Sequence, residues 1–265
     1  MNLFDSHAHL DDDKFDEDRE EIIKDILSEM KGFISAGYSL EGSIKALEIS
    51  KKYDNVYSTC GISPNDIPQV ESDLWKTIDE IYKLVSENLQ FKKIVAIGEI
   101  GLDYYWEKDE QRRKIQIQAF IKQIDIANKL DLPIVIHTRE AVMDTLEVLK
   151  NNPVKKRGVF HCCPLNRELV KEALKLDFYI SFAGPVTFKN SKNADEIINM
   201  VPEDKILIET DSPYLSPEPF RGKRNDPRNV KYIAMKVANV KKKSLEEISK
   251  ITYENTCRLF NIWFW

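Results

Sequence analysis

Long apolar runs are missing from this sequence. No stretch of about 18 apolar residues occurs, which excludes a membrane-spanning helix. The opening MNLFDSHAHL has neither a basic start nor an apolar stretch, so no secretory leader is expected. Cysteine is sparse: Cys60, Cys162, Cys163 and Cys257 show no C-x-x-C spacing. Thiols without a framework point to a reducing, cytoplasmic setting. Glycine and proline number only 9 and 11, too few for a collagen-like or low-complexity chain. Basic residues are not in excess. The 39 Lys and Arg stand against 44 Asp and Glu, a net charge of −5, so a uniformly basic nucleic-acid binder is excluded while a local basic patch is not. Histidine is scarcest in proportion to its consequences, with four in the whole chain.

What is present suits a globular protein. At 42% hydrophobic residues the chain is too apolar for intrinsic disorder. Its 265 residues match one large α/β barrel or two ordinary domains. No linker or composition break divides it, so one domain over 1–265 is expected. Short β-branched runs alternate with longer helical patterns: Leu3–Phe4, Gly32–Ser35, Val56–Cys60, Ile94–Ile97, Pro133–Ile136, Gly158–Phe160, Phe178–Ser181 and Ile206–Ile208. Eight alternations in about 210 residues argue a closed (β/α)8 barrel of the TIM type. Between them, Lys114–Leu130 places Ile117, Phe120, Ile121, Ile124 and Ile126–Ala127 near one helical face. Pro133 then forces the chain out of the helix. Asp226-Pro227 opens a late helix, and Ser244-Leu-Glu-Glu247 reads as a capping box for the last one. The closing Trp263-Phe264-Trp265 is expected to pack on the barrel's outer face.

The four histidines fall where such a barrel keeps its chemistry. His7 and His9 follow the first run as H-x-H, and residues two apart in extended chain point the same way. His137 ends the fifth run and His161 the sixth; Glu99 follows the fourth and Asp211 the eighth. All six map to the carboxyl ends of the expected strands, which converge on the active face of a (β/α)8 barrel. Four imidazoles and two carboxylates are too many for one tetrahedral zinc. They suit two divalent ions about 3.5–4 Å apart, with Glu99 as the natural bridge, the pair acidifying a shared water. Asp211 is then placed to hold one ion and to accept the proton of the attacking water. Imidazole ligands favour zinc or manganese and oxygen ligands magnesium, so the ion itself stays open among Zn, Mg and Mn.

Together these blocks resemble a known family. Asp5-Ser-His7-Ala-His9-Leu10, Ala96-Ile-Gly-Glu99-Ile-Gly-Leu-Asp103-Tyr104-Tyr105, Leu132-Pro-Ile-Val-Ile-His137-Thr-Arg139, Gly158-Val-Phe-His161-Cys162, Glu209-Thr-Asp211-Ser-Pro-Tyr214-Leu215, Arg221-Gly-Lys223-Arg224-Asn225 and Asn255-Thr-Cys-Arg258-Leu-Phe260 stand in the order found in the TatD-type metal-dependent deoxyribonucleases of the amidohydrolase-like superfamily. The resemblance spans essentially the whole chain. It implies the barrel, metal ligands at His7, His9, Glu99, His137, His161 and Asp211, and 3′→5′ exonuclease action on DNA. Single-stranded DNA ends are the expected substrate, and the oligomeric state stays open, with a monomer favoured. Three positions depart from the family pattern. Ser63 stands where a histidine is usual, Phe220 replaces a histidine before R-G-K-R, and Cys163-Pro164-Leu165 replaces F-S/T-G. They keep open a rival hydrolysis of ester or amide bonds on the same metals, for instance D-aminoacyl-tRNA deacylation. A non-catalytic binding module is the remaining alternative, which has no need of six retained ligands.

Other residues are candidates by position. Arg221, Lys223 and Arg224, ahead of Arg228, sit in the loop after Asp211 and suit substrate phosphates. Arg139, two residues past His137, suits a phosphate or an acid at the rim. Tyr104, with Tyr105 and Trp106, suits either base stacking or packing of its loop. Asp103 suits a group orienting a metal ligand. Phe188 and Lys189 are placed to line the cleft. Cys162 and Cys163 read as small buried fillers, and Asp11, Asp12 and Asp13 as a solvated helix entry.

Overall fold

A computed structural model describes residues 1–262 of the chain, so the expected packing of Trp263, Phe264 and Trp265 lies outside the described residues. Eight parallel strands pair in sequence order: β1 (Phe4–Ala8), β2 (Gly32–Ala36), β3 (Val56–Cys60), β4 (Ile94–Asp103), β5 (Ile134–Arg139), β6 (Gly158–Phe160), β7 (Tyr179–Phe182) and β8 (Ile206–Ile208). Helices fill the crossovers: α1 (Arg19–Glu29), α2 (Leu40–Lys52), α3 (Glu71–Asn88), α4 (Glu110–Leu130), α5 (Val142–Asn151), α6 (Arg167–Lys175), α7 (Ala194–Met200) and α8 (Val230–Lys241), with α9 (Leu245–Phe260) at the end. This is the expected TIM-type (β/α)8 barrel. None of these helices is long and apolar enough to cross a membrane.

The seam between the first and last strands closes through backbone and one buried carboxylate. The Asp211 N–H donates to the His7 carbonyl (2.9 Å) and the His9 N–H to the Ser212 carbonyl (2.7 Å). The Asp5 carboxylate accepts the N–H groups of His7 and Thr210 and the Thr210 hydroxyl. Inside the barrel, every strand adds a side chain to one cluster: Phe4, Ile34, Tyr57, Val95, Val135, Val159, Tyr179 and Leu207. Most lie near the starts of their strands, and Leu259, Phe260 and Ile262 from the end of the chain join them. The interior is thus filled at one end, which leaves the opposite, carboxyl end for polar side chains.

The helices begin and stop for local reasons. Ser39 caps α2 and Asp109 caps α4 by accepting backbone N–H groups. Asp131, in the left-handed region two residues before Pro133, ends α4. Ser244 and Glu247 form the expected capping box of α9. Asp226-Pro227 opens a 3-10 turn, Pro227–Asn229, that leads into α8.

Two expectations need correction. The core face of α4 is rotated: Ile117 and Ile121 are only half-buried, while Gln116 and Gln123 are buried. Their amides meet backbone that sheet pairing leaves free. Gln123 accepts from the Ile62 N–H and donates to its carbonyl, and Gln116 accepts from the Asp103 N–H and donates to the Pro64 carbonyl. Buried polar groups so satisfied cost little. The fourth strand is also longer than its apolar run. It continues through Gly98-Glu99-Ile100-Gly101-Leu102-Asp103, so Glu99 lies within β4 rather than after it. The polar residues and glycines there read as a loop, but all ten residues of the strand are buried.

Gly101 permits this course. Its φ is +144°, and a Cβ would run into the backbone carbonyl of His137 on the neighbouring strand. Gly101→Ala should therefore cost roughly 2–4 kcal/mol, since both strain and a backbone clash are imposed. Urea unfolding measures this as a lowered midpoint; an unchanged midpoint would show that β4 relaxes freely at this position.

Candidate metal centre

The six residues singled out in sequence converge at the carboxyl ends of the strands. Glu99 lies among them with its two oxygens facing different ways. Its Oε2 is 3.4 Å from His7 Nε2 and 3.7 Å from His9 Nε2. Its Oε1 is 2.9 Å from His137 Nδ1 and 3.3 Å from His161 Nε2. Asp211 Oδ1 completes the first group, 3.6 Å from His7 Nε2 and 3.3 Å from His9 Nε2. All six side chains are buried or nearly so, His137 being the most open with 17% of its side chain exposed.

Each imidazole is aimed by what holds its far side. His9 Nδ1 is 2.8 Å from the Ala36 carbonyl, which can only accept, so this nitrogen carries the proton and Nε2 turns inward. His137 Nε2 meets Asp103 Oδ2 at 3.0 Å, leaving Nδ1 inward. His161 Nδ1 meets Glu209 Oε1 at 3.3 Å, leaving Nε2 inward. A ligand imidazole typically donates its other N–H to a carboxylate or carbonyl in this way. His7 Nδ1 is buried with no such partner among the described residues.

The inward nitrogens crowd together. His7 Nε2 and His9 Nε2 are 3.2 Å apart, as are His137 Nδ1 and His161 Nε2. Lone pairs at that separation, beside carboxylate oxygens, repel unless a cation or a proton lies between them. Donor atoms about 2.0–2.2 Å from one zinc ion stand roughly 3–3.5 Å from each other, which is the spacing found here. The donor set therefore fits a divalent cation, and two groups of candidate ligands recur: His7, His9 and Asp211, and His7, Glu99 and His161.

The electrostatics match. Burial pushes the Glu99 carboxyl up, but the imidazoles of His161, His137 and His7 outweigh it and hold the group well below the usual range. Asp211 is held down against burial by His9, His161 and His7. Burial opposes a charge on His9, yet Asp211 and Glu99 lift it to about 10. Burial likewise opposes a charge on His161, and Glu99 and Glu209 raise it well above the ordinary value. His7 is lowered, by burial and by the neighbouring His161.

Sequence reasoning passed over Glu209 and Asp5 as parts of the site. Glu209 is fully buried and holds both the His161 ring and the Cys162 N–H. The available signal was an acid directly after the apolar β8 run Ile206–Ile208. Asp103 meets the His137 ring, the contact such a role requires, and Asn65 Nδ2 braces it at 3.1 Å. The acidic run is corrected in part: Asp13 is exposed, but Asp11 and Asp12 are buried. Asp12 caps a 3-10 turn and accepts the Tyr214 hydroxyl. The Asp11 carboxylate has no hydrogen-bond partner among the described residues, and burial lifts it to about 6. Cys163 is buried as expected, whereas Cys162 is only half-buried; desolvation drives both thiols upward, so they stay protonated.

The other candidates divide. Arg139 and Arg221 form no ion pair among the described residues; Arg139 lies over Tyr105 and Arg221 over Phe188, at 3.7 and 4.0 Å from the ring centroids. Lys223 rests 5.9 Å from the Phe220 ring. Lys189 is exposed. Arg224 is engaged elsewhere, bonding Asp18 through both terminal nitrogens and the Lys14 carbonyl. Arg228 is held by Asp226. Tyr104 is half-buried, its hydroxyl 2.6 Å from Asp144, so it packs the loop. At the divergent positions, Ser63 caps a 3-10 turn and donates to Asp66, Phe220 packs edge-on against Tyr232, and Pro164 O accepts from the Cys163 thiol.

Comparison with known proteins agrees with this geometry. The family model described as TatD related DNase matches residues 4–261. An uncharacterized metal-dependent hydrolase of Bacillus subtilis, YabD, is 42% identical over 98% of this chain and 99% of its own. YcfH of Escherichia coli, also described as an uncharacterized metal-dependent hydrolase, is 36% identical over 99% and 97%. Among solved structures, the TatD homologue YjjV of Escherichia coli superposes with a TM-score of 0.89 at 23% identity, covering 98% of both chains.

Metal uptake should be coupled to protons. With His9 raised to about 10 and His161 raised as well, the metal-free protein holds protons at pH 7 that a cation must expel. Calorimetric titration with zinc in buffers of different ionisation enthalpy should show release of on the order of one to three protons. Affinity should accordingly rise with pH between 6 and 9, roughly tenfold per unit for each proton displaced. Binding with no proton release would contradict this charge assignment.

Proposed function

This chain belongs to the TatD-related DNase family of metal-dependent hydrolases, and from that premise we propose that it is a 3′→5′ exodeoxyribonuclease acting on single-stranded DNA ends. The observation that carries the reading is the division of Glu99 between two sets of imidazoles beneath a rim bearing Arg139 and Arg221. His7, His9, Asp211 and Glu99 would hold one divalent ion, and His137, His161 and Glu99 a second. Bound there, such ions supply Lewis-acid activation of a water and neutralise charge on a phosphoryl group.

The chain's own groups do the rest. Asp211, ionised and beside His9, takes the proton of the attacking water at its carboxylate. Asp103 and Glu209 keep the His137 and His161 rings turned inward throughout. Arg139 and Arg221, with Lys223, hold the phosphates flanking the scissile bond, since these cations pair with no acid among the described residues. The net acidic surface suits an enzyme that grips a few nucleotides at an end; extended duplex binding needs a wider basic footprint.

A 5′-labelled single-stranded oligonucleotide tests this. EDTA should abolish cleavage, add-back of Mg²⁺, Mn²⁺ or Zn²⁺ should restore a ladder shortening from the 3′ end, and Asp211→Asn should slow it roughly 10²–10⁴-fold. No cleavage by folded, metal-loaded protein would reject the nuclease reading and bring ester and aminoacyl-tRNA substrates forward.

A further inference from the structure

The loop after β4 separates its three aromatic residues. Tyr104 turns inward, but Tyr105 is 39% exposed and Trp106 66% exposed. The two outer rings meet edge to face, centroids 4.7 Å apart at 84°. The Arg139 guanidinium lies over Tyr105 at 3.7 Å and reaches Trp106 at 5.7 Å. It has no ion-pair partner among the described residues. This group is fastened to the metal centre by one side chain. Asp103 Oδ2 accepts from the His137 ring, while Asp103 Oδ1 accepts the N–H groups of Tyr105 and Trp106 at 2.9 and 3.1 Å. The Tyr104 N–H donates to the Arg139 carbonyl, tying the loop to β5 two residues past His137. A large aromatic ring left in water, beside an unpaired planar cation and locked to a candidate metal ligand, has the composition of a nucleic-acid stacking platform.

We propose that Trp106 is the shelf on which an unpaired base of the substrate stacks, with Arg139 binding the adjoining phosphate. The inference rests on the nuclease reading and adds its strand selectivity. A base–aromatic stack tolerates any sequence, because every base has a π-face. A base in a duplex end reaches the shelf only after unpairing and unstacking, which costs a few kcal/mol. The edge of the Arg139 guanidinium stays free for a phosphate while its face rests on Tyr105. Selection for single strands then comes from one loop and not from the metal ligands.

The test uses metal-loaded protein and a fluorescein-labelled hexathymidylate with phosphorothioate linkages, followed by fluorescence anisotropy. Trp106→Ala should weaken binding about 5- to 150-fold, the range of one lost base stack. Trp106→Leu, apolar but without a ring, should be as weak, and Trp106→Phe should recover to within roughly threefold of wild type. Metal content should be the same in all four proteins, and binding of a blunt hairpin should not respond to Trp106→Ala. Equal affinity of wild type and Trp106→Ala, full recovery by Trp106→Leu, or no binding of the oligonucleotide by wild type would each overturn the shelf. The two readings fail separately. Binding that depends on Trp106 in a protein that cleaves no DNA would reject the nuclease and keep the shelf. Cleavage with affinity indifferent to Trp106 would do the reverse.

Discussion

One buried carboxylate, Glu99, has each of its oxygens turned to a different set of imidazoles, His7 and His9 on one side and His137 and His161 on the other. Four ring nitrogens and a carboxylate cannot be packed together out of water without compensating positive charge. The surrounding structure is arranged around that constraint. The Ala36 carbonyl, Asp103 and Glu209 each take the outer N–H of one ring, so that three inner nitrogens converge by design of their far sides. Behind Asp103 stand Asn65 and Gln116, so the chain of support reaches from a ligand ring to α4 on the outside of the barrel.

The same constraint explains where the barrel closes. The bonds from Asp211 to His7 and from His9 to Ser212 join the ends of β1 and the segment after β8, and three of these four residues belong to the candidate metal centre. The seam and the candidate site therefore share the same residues. The apolar plug of Phe4, Val95, Val135 and Leu207 occupies the other end of the barrel, so stability and chemistry draw on separate layers of the same strands.

Much of this was legible in the chain. The β-branched runs locate eight strands because buried parallel strands are apolar throughout. His7 and His9 betray the site because a doubled imidazole in extended chain has few other uses. What stayed hidden depends on partners distant in sequence. Gln116 and Gln123 look like solvent-facing positions of α4 until the free backbone of Ile62 and Asp103 is seen beside them. Asp12 looks solvated until Tyr214, in the loop after β8, donates its hydroxyl to it. Arg224 looks like a phosphate ligand until Asp18, some 200 residues earlier, takes it. Glu209 was overlooked since a lone acid after an apolar run carries no periodicity.

The central claim is that Glu99 joins two cation sites. Its most direct test is the metal stoichiometry of wild type and Glu99→Ala, measured by calorimetric titration with manganese or zinc and by elemental analysis of the loaded proteins. Two ions per chain in wild type, falling to one or none in the variant, is the predicted result. A single ion in saturated wild type, or two ions held at undiminished affinity without Glu99, would contradict it.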